Sequence, residues 1–270
     1  MQGSLGEKIG QGVSADVYVW APGQVVKLFK DGTPRRVSWE AQMTRVAFAA
    51  GLPAPEVFGE VTLEGRLGIV MSRLDGPTVL KLLRSGAMQT QQAAGIIATL
   101  AVAIHKTPSP PKVLPLRDWM GYALQGSAGR MPEHIAEGIL LLIDRLPPAD
   151  GLCHCDLHPD NVIMTTEGPR LIDWLGMMRA PAALDLAICH MLLGVLLPDL
   201  ADDPERPRRL NAAIQAEYAR LAGLSQAALA AAVEPYLPVA AVFALLGAWV
   251  GPAQRERLIQ RIEAAQRPEG

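Results

Sequence analysis

One stretch of this chain concentrates side chains that can move a phosphoryl group. Cys153-His154-Cys155-Asp156-Leu157-His158-Pro159-Asp160-Asn161 is followed by Leu171-Ile172-Asp173-Trp174. Together they set one acid, one amide and a second acid in the order that phosphoryl transfer requires of a base and two magnesium ligands. Asp156 can take the proton of a hydroxyl approaching a metal-bound phosphate. Asn161 and Asp173 both offer oxygen, the donor that a hard cation such as Mg²⁺ takes.

The residues between them supply the geometry. Val162-Ile163-Met164-Thr165 predicts a short buried strand, Thr166-Glu167-Gly168-Pro169 a turn, and Arg170-Leu171-Ile172 a returning strand. A hairpin folds its ends together, so Asn161 and Asp173 are expected side by side, with Asp156 on the loop leading in. His154 is expected to brace that loop, and His158-Pro159 to stiffen its next turn. A rival use of the stretch is a zinc site, because Cys153, His154, Cys155 and His158 are all possible ligands. Successive residues of an extended strand point to opposite faces, which argues against Cys153 and Cys155 sharing a tetrahedral ion with His154.

The amino-terminal third carries a second set of parts. Ile9-Gly10-Gln11-Gly12-Val13-Ser14-Ala15-Asp16-Val17-Tyr18 is punctuated by glycine between apolar segments. It predicts a hairpin whose backbone amides, around Gly12 and Ser14, can cover phosphates. Ala15 stands where a full Gly-x-Gly-x-x-Gly would place its third glycine. Val25-Val26-Lys27-Leu28-Phe29 then predicts a strand with one inward-capable lysine. A helix follows it, started by Thr33 and Pro34, stopped by Gly51 and containing Glu40. Lys30, beside Asp31-Gly32, is the weaker candidate for that lysine's part. Gly65 to Ser72 predicts a turn and an apolar strand, with Arg73-Leu74-Asp75-Gly76 passing out of it.

The spacing Asp-x-x-x-x-Asn is that of the kinase catalytic loop. His154-Cys155-Asp156-Leu157-His158-Pro159-Asp160-Asn161 with Leu171-Ile172-Asp173-Trp174 resembles the signature of the aminoglycoside phosphotransferase and choline kinase group. These are small-molecule kinases with a protein-kinase-like fold. Asp185-Leu186-Ala187 is similar to the family's Asp-Leu-Ala element, whose acid braces the catalytic loop. Leu100-Ala101-Val102-Ala103-Ile104-His105 resembles its helix ending in Leu-x-x-x-x-His. Most of the family carries glycine where this chain has Cys155.

The resemblance implies an α+β, bilobal fold. Residues 1–73 would form a nucleotide-binding lobe, a small antiparallel sheet with one main helix. Residues 74–270 would form a larger, mostly helical lobe with the catalytic loop and acceptor site. It implies that Asp156 is the catalytic base and that Asn161 and Asp173 hold Mg²⁺. Lys27, positioned by Glu40, would hold the α- and β-phosphates. Backbone groups from Ser72 to Leu74 would read the adenine edge, with Val25 and Ile172 as apolar walls. Because adenine is read mainly by main chain, ATP and GTP both remain candidate donors.

Composition sets bounds. The chain has 270 residues, half of them hydrophobic, enough for a substantial core shared by two lobes. A formal net charge of −2 gives no basic footprint for nucleic acid. Three cysteines cannot all pair, which suggests a reducing, cytoplasmic setting. Met1-Gln2-Gly3-Ser4 leads into charged residues, not an apolar signal segment. Tyr236 to Gly251 is apolar, but Pro238 interrupts it and it falls short of the roughly twenty residues of a membrane span, so a buried helix is expected. Helical spacing also marks Thr90 to His105, Glu133 to Arg145, Ala182 to Leu197, Arg208 to Ala222 and Gln226 to Val233. Thr107 to Leu116, with four prolines, is expected to be a connector.

Between Asp173 and Asp185 lie eleven residues without Ser, Thr or Tyr. A protein kinase needs a longer segment there and an Ala-Pro-Glu element to dock a peptide. The expected partners are therefore a nucleoside triphosphate and a small-molecule alcohol, not a protein, a nucleic acid or a membrane. The alternative is a nucleotide-binding scaffold with the fold but little catalysis. Asp199, Asp202, Asp203 and Glu205 could attract a polycation, but Arg206, Arg208 and Arg209 follow at once, so a solvated loop is expected. Trp119, Tyr122 and Trp249 could line a pocket or simply fill the core.

Overall fold

Alternating apolar and polar residues near the amino terminus form an antiparallel sheet in the computed structural model, which describes residues 5–126, 131–147, 150–247 and 250–266. Its strands are β1 (Lys8–Gln11), β2 (Ala15–Ala21), β3 (Gln24–Phe29), β4 (Val57–Leu63) and β5 (Arg66–Ser72), in the order β1-β2-β3-β5-β4. Glu64 and Gly65, both at positive φ, make the tight turn joining β4 to β5 with the twist a hairpin favours. Between β3 and β4 runs α1 (Pro34–Ala49). The Thr33 hydroxyl caps it by accepting the Arg36 N–H, and Gly51 follows its end at φ +77.

The period of two sorts the sheet's side chains onto two faces. Ala15, Phe29 and Ile69 pack with Val37 and Ala41 of α1, while Val26, Leu28 and Val70 pack beneath Tyr18 and Trp20 on the other side. Lys27 shares the parity of Val25 and Phe29, so the alternation itself turns it toward the α1 face.

The described residues divide into two compact units. The first draws on Met1–Ser85 and Pro159–Gly176 and so contains the sheet, α1, the short helix α2 (Val79–Ser85) and the hairpin of Val162–Thr165 with Gly168–Leu171. Hydrogen bonds from Met164 N to the Pro77 carbonyl and from Leu171 N to the Pro53 carbonyl dock that hairpin. Gly76 lies so close to it that a Cβ would collide with the Met164 carbonyl.

The second unit, from Gly86–His158 and Met177–Gly270, is mostly helical. Its helices are α3 (Thr90–Lys106), α4 (Leu116–Gln125), α5 (Glu133–Arg145), α6 (Ala182–His190), α7 (Glu205–Ala222), α8 (Gln226–Val233), α9 (Leu237–Leu246) and α10 (Pro252–Gln266). α3 packs along α7 and α6 against α9. The helix expected over Ala182 to Leu197 stops being α-helical after His190 and widens into a π turn over Met191–Leu196. Gly194 there sits against Asn211 and His190, and Pro198, lacking an N–H, ends the run in a 3₁₀ turn. Neither α4 nor α10 was expected.

Two helical runs, Ala182–Leu200 and Gln226–Leu246, are long and apolar enough to cross a membrane by length and composition alone. The second joins α8, a 3₁₀ turn and α9 without a break, so Pro238 does not shorten it as expected: it sits in the first turn of α9, where a missing N–H is tolerated. More than half of each run is buried inside the protein.

Candidate active site

A shared lysine organises the first unit. Lys27 Nζ lies 2.6 Å from Glu40 Oε1 and 3.4 Å from Asp173 Oδ2. The strand delivers the lysine, α1 the glutamate and the hairpin the aspartate. Burial disfavours the ammonium, but the carboxylates of Asp173 and Glu40 outweigh it and hold Lys27 protonated well above the ordinary lysine range. Burial pushes the Glu40 carboxyl up from its ordinary value, against the pull of Lys27, and the negative charge of Asp173 adds to that push. One cation thus serves two acids, of which Glu40 is enclosed and Asp173 is about a third exposed.

Asn161 and Asp173 stand at the open end of the hairpin. Val162 pairs with Leu171, and just outside that pair the Ile172 N–H donates to the Asn161 carbonyl at 3.0 Å. Asn161 is buried; the Thr78 hydroxyl donates to its neighbour Asp160 at 3.0 Å. Asp173 has φ +65, a left-handed conformation that Asp tolerates better than most residues. An amide oxygen and a carboxylate on adjacent backbone are the hard donors that magnesium accepts, so these residues fit the ion.

The glycine-punctuated turn is closed by a bond from Gly12 N to the Ala15 carbonyl at 2.8 Å, while the Ser14 carbonyl accepts the Lys30 N–H. At the end of β5, where backbone groups of Ser72 to Leu74 were expected to read adenine, two amides already have partners. The Ser72 N–H is spent on the Glu56 carbonyl and the Arg73 N–H on the Gly23 carbonyl, and the Ser72 hydroxyl accepts from Glu56 N. Among the described residues no backbone acceptor takes the Leu74 N–H. Val25 is buried and Ile172 partly so. A groove of about 340 Å³ runs past Ser72, Arg73, Leu74, Phe48 and Thr166, and none of Lys27, Glu40 or Asp173 lines it.

The second unit holds the loop that carries Asp156. Asp185, fully buried on α6, accepts the N–H groups of His154 and Cys155 at 2.8 and 2.5 Å and contacts His105 Nε2 at 3.0 Å. The other ring nitrogen of His105 meets the Tyr218 hydroxyl at 2.8 Å. Burial disfavours the His105 cation, but its bonds to Asp185 and Cys153 raise its pKa well above the ordinary value. His154 is itself fully buried, and its Nδ1 accepts the Asp156 N–H at 3.2 Å. Asp156 is more than a third exposed, with His158 Nε2 3.4 Å from its carboxylate.

Sequence reasoning missed the conformation of Cys155. It takes φ +64, so the stretch is not extended and the argument from alternating faces does not hold there. The thiols of Cys153 and Cys155 meet, and the side chains of ligand type that cluster are His105, Cys153 and Asp185, not the set first weighed. Cys153 Sγ donates toward the Ala180 and Pro181 carbonyls, both at 3.3 Å. Burial and the Asp185 charge disfavour a Cys153 thiolate, but its bonds to Cys155 and His105 outweigh them and lower its pKa from the ordinary value, so the cluster is a buried hydrogen-bonded brace. The family's glycine at this position was the available signal, because a left-handed turn is where glycine is cheapest.

Three of the four acids in this unit's acidic run are paired: Asp203 meets Arg209 at 2.9 Å, Glu205 meets Arg208 at 2.5 Å, and Asp199 pairs with Arg257. Trp119 stacks on Phe243 with centroids 4.7 Å apart, Tyr122 is exposed, and Trp249 lies outside the described residues.

A sheet with one helix carrying a lysine–glutamate pair, a hairpin with Asn161 and Asp173 at its open end and a helical unit with an aspartate loop define a kinase-like α+β fold. Residues 6–224 match the phosphotransferase enzyme family, and the chain belongs to that family. No match was found among curated proteins. Among solved structures, the chain is similar to aminoglycoside-3′-phosphotransferase of type VIII at 21% identity and TM-score 0.54, over 87% of this chain and 93% of that one. It is similar to a choline/ethanolamine kinase family protein from Mesorhizobium loti at 17% identity and TM-score 0.59, over 98% and 89%. A third likeness is to APH(2″)-IIa in its ternary complex with streptomycin and ATP, at 16% identity and TM-score 0.55, over 97% and 91%. Such identities speak to the fold.

Proposed function

We propose that this phosphotransferase moves the γ-phosphoryl group of ATP or GTP to the hydroxyl of a small molecule, with Mg²⁺ as cofactor. The observation that carries the reading is Lys27, held between Glu40 and Asp173 at 2.6 and 3.4 Å. Glu40 fixes the ammonium so that it can clamp the α- and β-phosphates, and it does so from a buried position where the charge is poorly screened. The turn from Gly12 to Ser14 covers the phosphates through its Val13 and Ser14 amides, the Gly12 amide being spent on Ala15, and Leu74 reads the base, with Val25 and Ile172 against its faces. Asn161 and Asp173 would hold magnesium, which when bound would neutralise charge on the transferring phosphate. Asp156 orients the acceptor hydroxyl and takes its proton. The ATP complex of APH(2″)-IIa supports a nucleotide donor.

A small acceptor is favoured over a peptide by the short segment from Trp174 to Leu184, which offers no hydroxyl to phosphorylate. Cys153, Cys155 and Cys189 are all unpaired and buried, which supports a cytoplasmic setting.

The test is a steady-state assay of nucleoside diphosphate release across amino alcohols, sugars, aminoglycosides and macrolides. Once an acceptor is found, Asp156→Ala should lower kcat by about 10²- to 10⁴-fold and leave nucleotide affinity nearly unchanged. Full activity in Asp156→Ala would remove the base from the scheme. Slow hydrolysis that no acceptor accelerates would replace the enzyme with a weak nucleotide-binding scaffold.

A further inference from the structure

Lys30 takes no part in the Lys27 triad, yet it grips the glycine-punctuated turn at two points. Its main-chain N–H donates to the Ser14 carbonyl at 2.9 Å and its Nζ to the Gly12 carbonyl at 2.7 Å. The ammonium is steadied from the side by Asp16, whose Oδ1 lies 3.9 Å away. Asp16 is in turn held by Lys8 at 2.9 Å and Arg66 at 3.1 Å, and its carboxyl is lowered from the ordinary value chiefly by the Lys8 bond.

The consequence follows from the planarity of the peptide group. In a trans peptide the C=O and the following N–H point in opposite directions, and no peptide here is cis. Fixing the Gly12 carbonyl on Lys30 therefore fixes the Val13 N–H pointing away from Lys30. No described residue accepts that N–H. The Gly12 N–H is unavailable, because it closes the turn on Ala15. An oriented main-chain donor without a protein partner, on a turn whose Gly12 N–H and whose Gly12 and Ser14 carbonyls are bonded, is one element of an anion-binding nest.

Building on the nucleotide-binding reading above, we infer that Lys30 is a positioning residue: it holds the Gly12–Val13 peptide so that the Val13 N–H meets the terminal phosphates of the bound nucleotide. Lys30 itself faces away from the ligand and acts through the turn. Its side chain is about a third exposed, so removing it leaves the Gly12 carbonyl to water and does not strand a buried charge.

The experiment is calorimetric titration of the full chain with adenosine, ADP and MgATP. Lys30→Met should weaken MgATP binding by about three- to tenfold, the worth of one ordinary hydrogen bond, and leave adenosine affinity unchanged. Lys30→Arg should restore most of the loss. Lys8→Met, which removes a partner of Asp16 but no contact to the turn's carbonyls, should bind MgATP like the unsubstituted protein. Equal losses for adenosine and MgATP, or no loss for either, would overturn the inference while the nucleotide reading survives. An unsubstituted protein whose affinity does not depend on the phosphates would overturn both.

Discussion

The two units hold their acids by opposite means. In the second, Asp185 is wholly enclosed, and its partners are two main-chain N–H groups and His105, all fixed by the fold. In the first, Lys27 must satisfy Glu40 and Asp173 together, and Asp173 remains about a third exposed. The Asp185 arrangement is complete, with bonds distributed over fixed donors. The other is a cation between two repelling acids, an arrangement that an incoming phosphate or cation can rearrange. A site that has to accept charge is built from incomplete pairing, and the loop that has to stay put is built from complete pairing.

Breaking the complete arrangement should cost most. Asp185→Ala leaves two buried N–H groups without an acceptor and takes from His105 its carboxylate partner, and should lower unfolding stability by about 3–5 kcal/mol. A urea titration measures it. A loss below that of an ordinary surface substitution would mean that the loop is held by something other than this carboxylate.

Breaking the incomplete arrangement should cost activity first. Lys27→Met should lower kcat/KM by about a hundredfold or more, the scale of removing one preorganised charge donor. It should also give stability a new pH dependence. Glu40 already has its pKa raised by burial, and loss of the ammonium removes the force that opposes the rise. A carboxyl with a higher pKa in the folded than in the unfolded chain favours folding at low pH. Stability should therefore fall as pH rises from the ordinary glutamate value through the raised one, more steeply in Lys27→Met than in the unsubstituted chain. Parallel slopes in urea titrations at several pH values would show that Lys27 does not govern Glu40.

This contrast also explains what was legible in the sequence. The hairpin that carries Asn161 and Asp173 is local and could be read from residues 161–173 alone, although its turn is only Thr166-Glu167, and Gly168 and Pro169, expected in the turn, pair in the returning strand. Lys27 and Glu40 could be ordered along the chain, but only the parity of β3 and the position of α1 bring them together. The brace joins residues 105, 153–155, 185 and 218 across four separate segments, and no spacing rule reaches that far. The amides of Ser72 and Arg73 were lost to Glu56 and Gly23 for the same reason: their partners lie a strand away. The π turn after His190 packs against α7, where Asn211 meets the His190 ring, a partner that is invisible in an apolar run.

The smallest expected effect bears on a feature that both regions share. Each places a non-glycine residue in the left-handed conformation, Asp173 at φ +65 and Cys155 at φ +64. Asp tolerates this locally, whereas for Cys the backbone cost is about 1 kcal/mol or more and must be met by the bonds to Asp185. Cys155→Gly removes that cost but gains freedom in the unfolded chain and loses a buried thiol, so the two sides should cancel to within about 1 kcal/mol. Cys155→Val puts a β-branched side chain where it fits worst, and should destabilise by about 1–3 kcal/mol. Because Asp156 is the next residue, the valine should also lower turnover more than the glycine does. Equal stability and equal turnover of the two variants would show that the left-handed turn does not constrain the loop. The brace would then owe its hold to Asp185 and His105 alone.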